Sequence, residues 1–330
     1  MSPALSDSDG RPLAGTVQGL GASAVATVVW GLSGVFVVLT TQPALVAALE
    51  RLWLGVPLVA VLLIVSGRRL YWPVLWRSVP GGVLLCGDIA LFFSAVKLTS
   101  VADATIIGAL QPVLVLFIAK PLFNERVRVT DMLWTALAIG GMAVVILGST
   151  GAMARHGVIG DLLAVGSVCC WTAYWLISKR VRTSPTINGA EGSAPADEKA
   201  PSDNGIGTIE YTAAVMLVAS VAMVPVTLLS REHLTAGNLQ DWLWLSLLAL
   251  LPGAAHLLSN WAHRFVDISV SSVIVSINPV IAAGAAAVVL HQALNAWQTA
   301  GGLLAIVGVV MVARRAATFK PSQEARAATG

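Results

Sequence analysis

Hydrophobic residues in this chain gather in long runs, and polar ones are confined to the joints between them. A helix needs roughly 17 to 25 apolar residues to cross the hydrocarbon layer. Ten runs reach or approach that length: 17–39, 43–66, 79–97, 101–120, 130–148, 159–180, 208–230, 239–262, 268–290 and 296–313. The first follows Arg11 in the manner of a signal peptide, but it is too long for one and no small-residue cleavage site follows, so it is read as a permanent helix. The pattern predicts an all-α polytopic membrane protein with ten transmembrane helices.

Composition agrees and narrows the class. The chain is 56% hydrophobic and 11% charged over 330 residues, with a mean hydropathy of +0.80, whereas a soluble domain is about one quarter charged. A net charge of +3 spread over short, separated basic clusters gives no face for nucleic acid. Those clusters instead set topology. Of the 20 Lys and Arg residues, Arg51 lies within a span and only Lys97, Arg155 and Arg231 fall in loops on one side, so the opposite side is cytoplasmic. An even helix number then puts both termini in the cytoplasm of a cell-membrane protein. Cys86, Cys169 and Cys170 all lie inside apolar runs and read as small buried hydrophobes rather than a disulfide framework or metal site.

Residues 182–207 are rich in Pro, Gly, Ser and mixed charge and read as a flexible cytoplasmic linker between helices 6 and 7. The boundary between halves falls earlier, near 151–157. Adding 167 to residue numbers carries Gln111-Pro112 onto Asn278-Pro279, Lys97 onto Arg264, Ser100 onto Asp267 and Gly141 onto Gly308. A shift of 141 carries Trp30 onto Trp171. Residues 1–150 and 151–316 therefore read as two five-helix repeats, with 317–330 a cytoplasmic tail. Five is odd, so the second copy enters from the opposite side, and the repeats are inverted, as in many carriers.

The doubled amide-proline step is the clearest candidate chemistry. GALQPVLVLFIAKPLFNERV (108–127) and VSINPVIAAGAAAVVLHQAL (275–294) each place one step midway through a span. Pro112 and Pro279 are expected to kink helices 4 and 9 and free a carbonyl at bilayer depth, which is tolerated only against protein or a watery cavity. Gln111 and Asn278 beside them are cavity candidates; an isolated intramembrane amide would instead be packing glue between helices. Trp30 and the set Trp171, Tyr174 and Trp175 lie at mid-depth on the first helix of each half, which makes Trp30, Trp171 and Tyr174 candidates as well.

Acidic residues sort by depth. Asp103 with Ser100, and Asp131, Asp161, Asp241 and Asp267, stand at helix starts and read as caps. Glu125, beside Arg126 and Arg128 at the end of helix 4, reads as a local ion pair or a contact to helix 5. Asp88 has no such explanation. It stands mid-helix with Phe92 one turn on, and the 167 shift carries its neighbour Ile89 onto His256, with Asn260 one turn further. Intramembrane charges default to function. Asp88 and His256 are thus expected to line one cavity, Asp88 as a proton-coupling group or the counter-ion of a cationic substrate. The alternative is a fixed ion pair of Asp88 with His256 or Arg51. Glu50 and Arg51 are expected to pair or to snorkel outward. The small-residue faces at Gly140 and Gly141 and at Gly301, Gly302 and Ala305 suit internal packing or a homodimer equally.

WGLSGVF at 30–36, ALERLWLG around Arg51, AVKLTSVADATIIGALQPVLVLFIAKPLFNERV at 95–127 and GDLLAVGSVCCWTAYWLISKR at 160–180 resemble the EamA-type carriers of the drug/metabolite transporter superfamily, along nearly the whole chain. The resemblance implies a ten-helix, two-repeat exporter or importer of a small metabolite, amino acid, amine or drug, with export the expected direction, no cofactor and no ATP-hydrolysing machinery. It makes Arg51, where the family commonly has a basic residue, a candidate for an anionic group. In one departure, Glu125 maps onto Gln292, so the second half lacks the family's frequent acid. No catalytic or metal constellation is visible: there is no HExxH, and Cys86-Gly87-Asp88 lacks the first glycine of GxGD. One Asp and one His do not make the charged ring of a channel.

Overall fold

The computed structural model describes residues 13–111, 113–114, 129–148, 154–183, 206–234, 237–262, 265–266, 271, 274–275, 277–292, 294–308 and 310–311. All regular structure among these residues is helical: α1 Leu13–Leu39, α2 Ala44–Val65, α3 Trp72–Leu98, α4 Val101–Gly108, α5 Val129–Gly148, α6 Ala154–Thr183, α7 Thr208–Ser230, α8 Leu239–Ala262 and α9 Asn278–Val289, with α10 over 296–308. Six of them, α1, α2, α3, α6, α7 and α8, contain stretches long and apolar enough to cross a membrane. Large apolar side chains such as Ile64, Val65, Leu133, Leu162, Leu229 and Val288 point outward, a surface that suits lipid.

Local chemistry sets several helix starts. The Ser100 hydroxyl accepts the Asp103 N–H to open α4. Asn238 and Asp241 cap α8 reciprocally, each side chain accepting the other's N–H. The cap of α2 comes from far away: Glu232 Oε2 accepts the N–H groups of Leu45 and Val46. At the end of α9, His291 takes the left-handed conformation and the Gln292 N–H turns back to the Ala286 carbonyl, closing the helix end.

Some boundaries differ from those expected. Helix 4, expected over 101–120, stops at Gly108; the chain turns at 109–110 and is helical again at Gln111. Helix 9, expected over 268–290, has a turn at Ile277 and starts α9 at Asn278, so Pro279 sits in a first turn, where its missing N–H costs no helix bond. Both breaks directly precede the amide-proline steps. Pro112 and residues 115–128, like Asp267, lie outside the described residues. α3 begins at Trp72 rather than 79, with Pro73 in its first turn, because an amphipathic extension carrying exposed Trp72 and Trp76 precedes the apolar run. Asp161 is no cap: α6 starts earlier, at Ala154, and Asp161 accepts instead from the Thr99 hydroxyl.

Helix contacts interlock the two ends of the chain. α3 packs on α6 and α7, α1 on α8 and α9, α2 on α7 and α8, and α4 on α6 and α9. Leu85 and Phe93 of α3, Tyr211 and Met223 of α7, and Leu245 and Leu248 of α8 are fully buried in the shared core. Glycine permits the tightest approaches. A Cβ on Gly31 would meet Ile281 of α9 at 2.8 Å, and one on Gly34 would meet Val101 of α4 at 2.8 Å. Gly141 of α5 abuts the α10 backbone at Gly301 and Ala305, and Gly308 of α10 abuts the α5 backbone at Trp134 and Ala138. Gly141, Gly301 and Ala305 thus pack within the chain.

Candidate functional site

A cavity of about 150 Å³ opens where α1, α2, α3, α4, α6, α8 and α9 meet, at the level of the two helix breaks. Of the residues singled out in the sequence, Trp30, Arg51, Asp88, Phe92, Gln111, Trp171, His256 and Asn278 all line it. One wall is aromatic. The Trp30 and Trp171 rings meet edge to face with centroids 5.5 Å apart, and His256 lies 5.4 Å from each. Tyr174 stands behind this wall, 5.4 Å from Trp171 and 6.3 Å from His256, and is buried rather than lining.

The polar side is incompletely satisfied. The Nε2 of Gln111 and the Nε1 of Trp30 are buried without a hydrogen-bond partner, although Gln111 is only 2% exposed. Buried donors are paired in the great majority of cases, so both of these remain available to an acceptor. Asn278 donates to the Thr27 carbonyl at 3.3 Å, fastening the start of α9 to α1.

Two opposite charges share the cavity. Asp88 accepts from the Ser167 hydroxyl at 2.6 Å, a bond from α6 to α3. Arg51 is 8% exposed; its guanidinium lies 5.5 Å from the Phe93 ring centroid, and its Nε donates to the Leu248 carbonyl at 3.1 Å. That carbonyl is available for a reason written in the sequence. Four residues on stands Pro252, inside α8, and a proline has no N–H to return to it. The orphaned carbonyl thereby fixes Arg51 pointing into the cavity, so Arg51 neither snorkels nor pairs with Glu50, whose Oε2 is itself buried without a partner. Among the described residues Asp88 forms no ion pair with Arg51 or His256 within 4.0 Å; the ion pair found is Arg68 with Glu210, at 2.8 Å, joining α2 to α7.

Other expected residues lie elsewhere. Asn260 faces α7, donating to Thr212 at 3.1 Å, and does not line the cavity. Glu125 lies outside the described residues. Ser33, Phe93, Thr105, Ser167 and Pro252 line the cavity without having been singled out. Ser167 had a signal, one turn before Trp171 on the same helix face.

At the end where α1 passes into α2, side-chain bonds draw the helix ends together. Asp241 accepts from the Thr41 N–H at 2.6 Å and the Thr41 hydroxyl at 2.7 Å. Lys97 donates to the Thr40 carbonyl at 2.6 Å. Gln298 of α10 donates to both carboxylate oxygens of Asp103 on α4, and Gln292 accepts the Val101 N–H that opens α4. The residue that replaces an expected acid thus caps a helix of the other half.

Comparison with known proteins gives the chain its relatives. The profile of the EamA-like transporter family matches residues 18–147 and 200–314, more than half of the chain. The aromatic amino acid exporter YddG of Ancylobacter novellus is 31% identical over 123 residues, 37% of this chain and 42% of the exporter, so the match spans less than half of that protein. The uncharacterized transporter YyaM of Bacillus subtilis is 22% identical over 235 residues, 70% of each chain. A crystal structure 21% identical in sequence, aligned over 91% of this chain and 97% of its own, superimposes with a TM-score of 0.61, a likeness of fold alone.

Proposed function

Because this chain belongs to the EamA-like transporter family, we propose that it is a secondary carrier that exports a small organic metabolite across the cell membrane by alternating access. The observation that carries this reading is the cavity itself: it is built from both halves of the chain, lies at the breaks in two helices, and holds charged and unpaired polar groups inside an apolar bundle. Carriers bind at discontinuous helices near the midplane.

The ten helices form two inverted repeats, 1–150 and 151–316. Exchanging α1 with α6, α2 with α7, α3 with α8 and α4 with α9 turns the α3–α6 contact into α8–α1, α3–α7 into α8–α2, and α4–α6 into α9–α1, all of which occur. The Lys and Arg bias favours cytoplasmic termini, which makes the end bound by Asp241, Lys97 and Gln298 the outer one. Aromatic amino acids are the first substrates to try, since the aromatic wall suits a ring and one relative is named as their exporter; amines and drugs with a ring come next. Asp88 couples transport to protons. The chain works as a monomer or homodimer, without catalysis of its own and without a pore's steady leak.

Purified protein in liposomes tests the reading. Saturable efflux that is stimulated by unlabelled substrate on the far side is expected; flux that never saturates would mean a pore. Replacing Asp88 with Asn should abolish pH-driven uptake, and an unchanged response to a pH gradient would sink the coupling role.

A further inference from the structure

A cavity that holds one positive and one negative side chain, each anchored to something other than its opposite, is built for a ligand with both charges. Arg51 is held by the Leu248 carbonyl and Asp88 by the Ser167 hydroxyl, and they do not close on each other. Among the described residues neither has a direct ion-pair partner within 4.0 Å, so a guest bearing both charges can bond to each side chain at once, whereas a singly charged guest bonds to one. Arg51 lies by Phe93, five residues beyond Asp88 on α3, so the two charges meet the one cavity at neighbouring levels of that helix. Donors on Arg51, with the unpaired amide of Gln111, suit the carboxylate; the acceptor Asp88 suits the ammonium.

We propose that this site selects its substrate by the headgroup of a free α-amino acid, with Arg51 taking the carboxylate and Asp88 the ammonium while the side chain lies against Trp30 and Trp171. The assignment rests on the carrier reading and sharpens it: the amines and acids that share the substrate's ring are excluded.

Phenylalanine, phenethylamine and 3-phenylpropionate share one ring and differ only in the charges they carry, and that ring suits the cavity, since a void of about 150 Å³ accepts benzene. Thermal unfolding of the full chain in detergent gives an apparent Kd for each. Phenylalanine should bind at least tenfold more tightly than either relative. Arg51→Gln should remove its advantage over the amine, and Asp88→Asn its advantage over the acid. Arg51→Lys, which keeps the charge, should retain part of the preference and guards against misfolding of the Gln variant. Equal binding of all three to the unaltered protein, or binding of none, overturns the headgroup assignment. The carrier reading is judged separately, by saturable counterflow of a broad metabolite mixture, so the amine exchanging as fast as the amino acid would defeat the assignment and leave the carrier standing.

Discussion

Replacing Pro252 by Ala should make the protein no less stable and its cavity less selective. In the native chain the Leu248 carbonyl has no helical donor, and Arg51 Nε fills the gap at 3.1 Å. Alanine at 252 supplies that donor. The helix gains up to about 3 kcal/mol in propensity, an upper bound because the carbonyl is already satisfied. Arg51 loses its anchor, a hydrogen bond from a charged group of about 1.5–3 kcal/mol. If half of that loss reaches the bound ligand, affinity falls roughly three- to tenfold; if all of it does, the loss reaches about tenfold or more, at 1.4 kcal/mol per factor of ten. At a ligand concentration near 100 Kd the stabilisation by ligand is about 2.7 kcal/mol, and a tenfold weaker site reduces it to about 1.4 kcal/mol. Thermal unfolding with and without phenylalanine reads both quantities in one experiment. The expected record is an unliganded midpoint at or above the native one and a smaller ligand-induced rise. A full-sized rise in Pro252→Ala would refute the argument that the freed carbonyl positions Arg51.

Three further outcomes follow from the packing. Asp241→Asn removes one of the acceptors that hold Thr41, so a cysteine placed at Ser33 in a cysteine-free background should react faster with a membrane-impermeant maleimide added outside; an unchanged rate would deny that this contact closes the outer end. Trp171→Ala deletes edge contacts to Trp30 and His256, each about 0.5–1.5 kcal/mol, so the melting midpoint should fall and Trp171→Phe should recover part of it. Gly141→Ala puts a Cβ 2.5 Å from the Ala305 nitrogen and should cost about 1–3 kcal/mol, whereas Gly140→Ala, which meets nothing within 4 Å, should be neutral or gain up to about 1 kcal/mol; the two melting curves side by side decide it.

The candidate site was legible where a residue contradicts its own surroundings. Asp88 in mid-helix, amides beside prolines and tryptophans at one repeat shift each break the rule that a span is apolar, and the structure gathers Asp88, Gln111, Asn278, Trp30 and Trp171 around one cavity. What stayed hidden depends on partners far along the chain. The direction of Arg51 is decided by a carbonyl 197 residues away, and a pairing rule that looks at Glu50 next door has no access to it. Asn260 stands one turn from His256 and shares its polarity, but Thr212 of α7 claims it, and helix spacing alone does not say which neighbour faces which side. Asp161 looked like a cap because polar residues start helices; only the longer α6 and its Thr99 partner tell otherwise. The breaks in α4 and α9 were foreseen as kinks, since a proline predicts disruption better than it predicts on which side the backbone gives way.

The crossed glycines of α5 and α10 have a mechanical consequence. Gly141 lies on the α10 backbone and Gly308 on the α5 backbone, so at these two points main chain bears directly on main chain. Sliding one helix along the other would drive each smooth spot under a neighbouring side chain, and separating them would open a void in lipid. Rolling about the contact meets neither obstacle. The seam therefore holds α5 and α10 in one axial register while leaving them free to roll on each other, so a bulkier residue at either glycine would change that register as well as the stability.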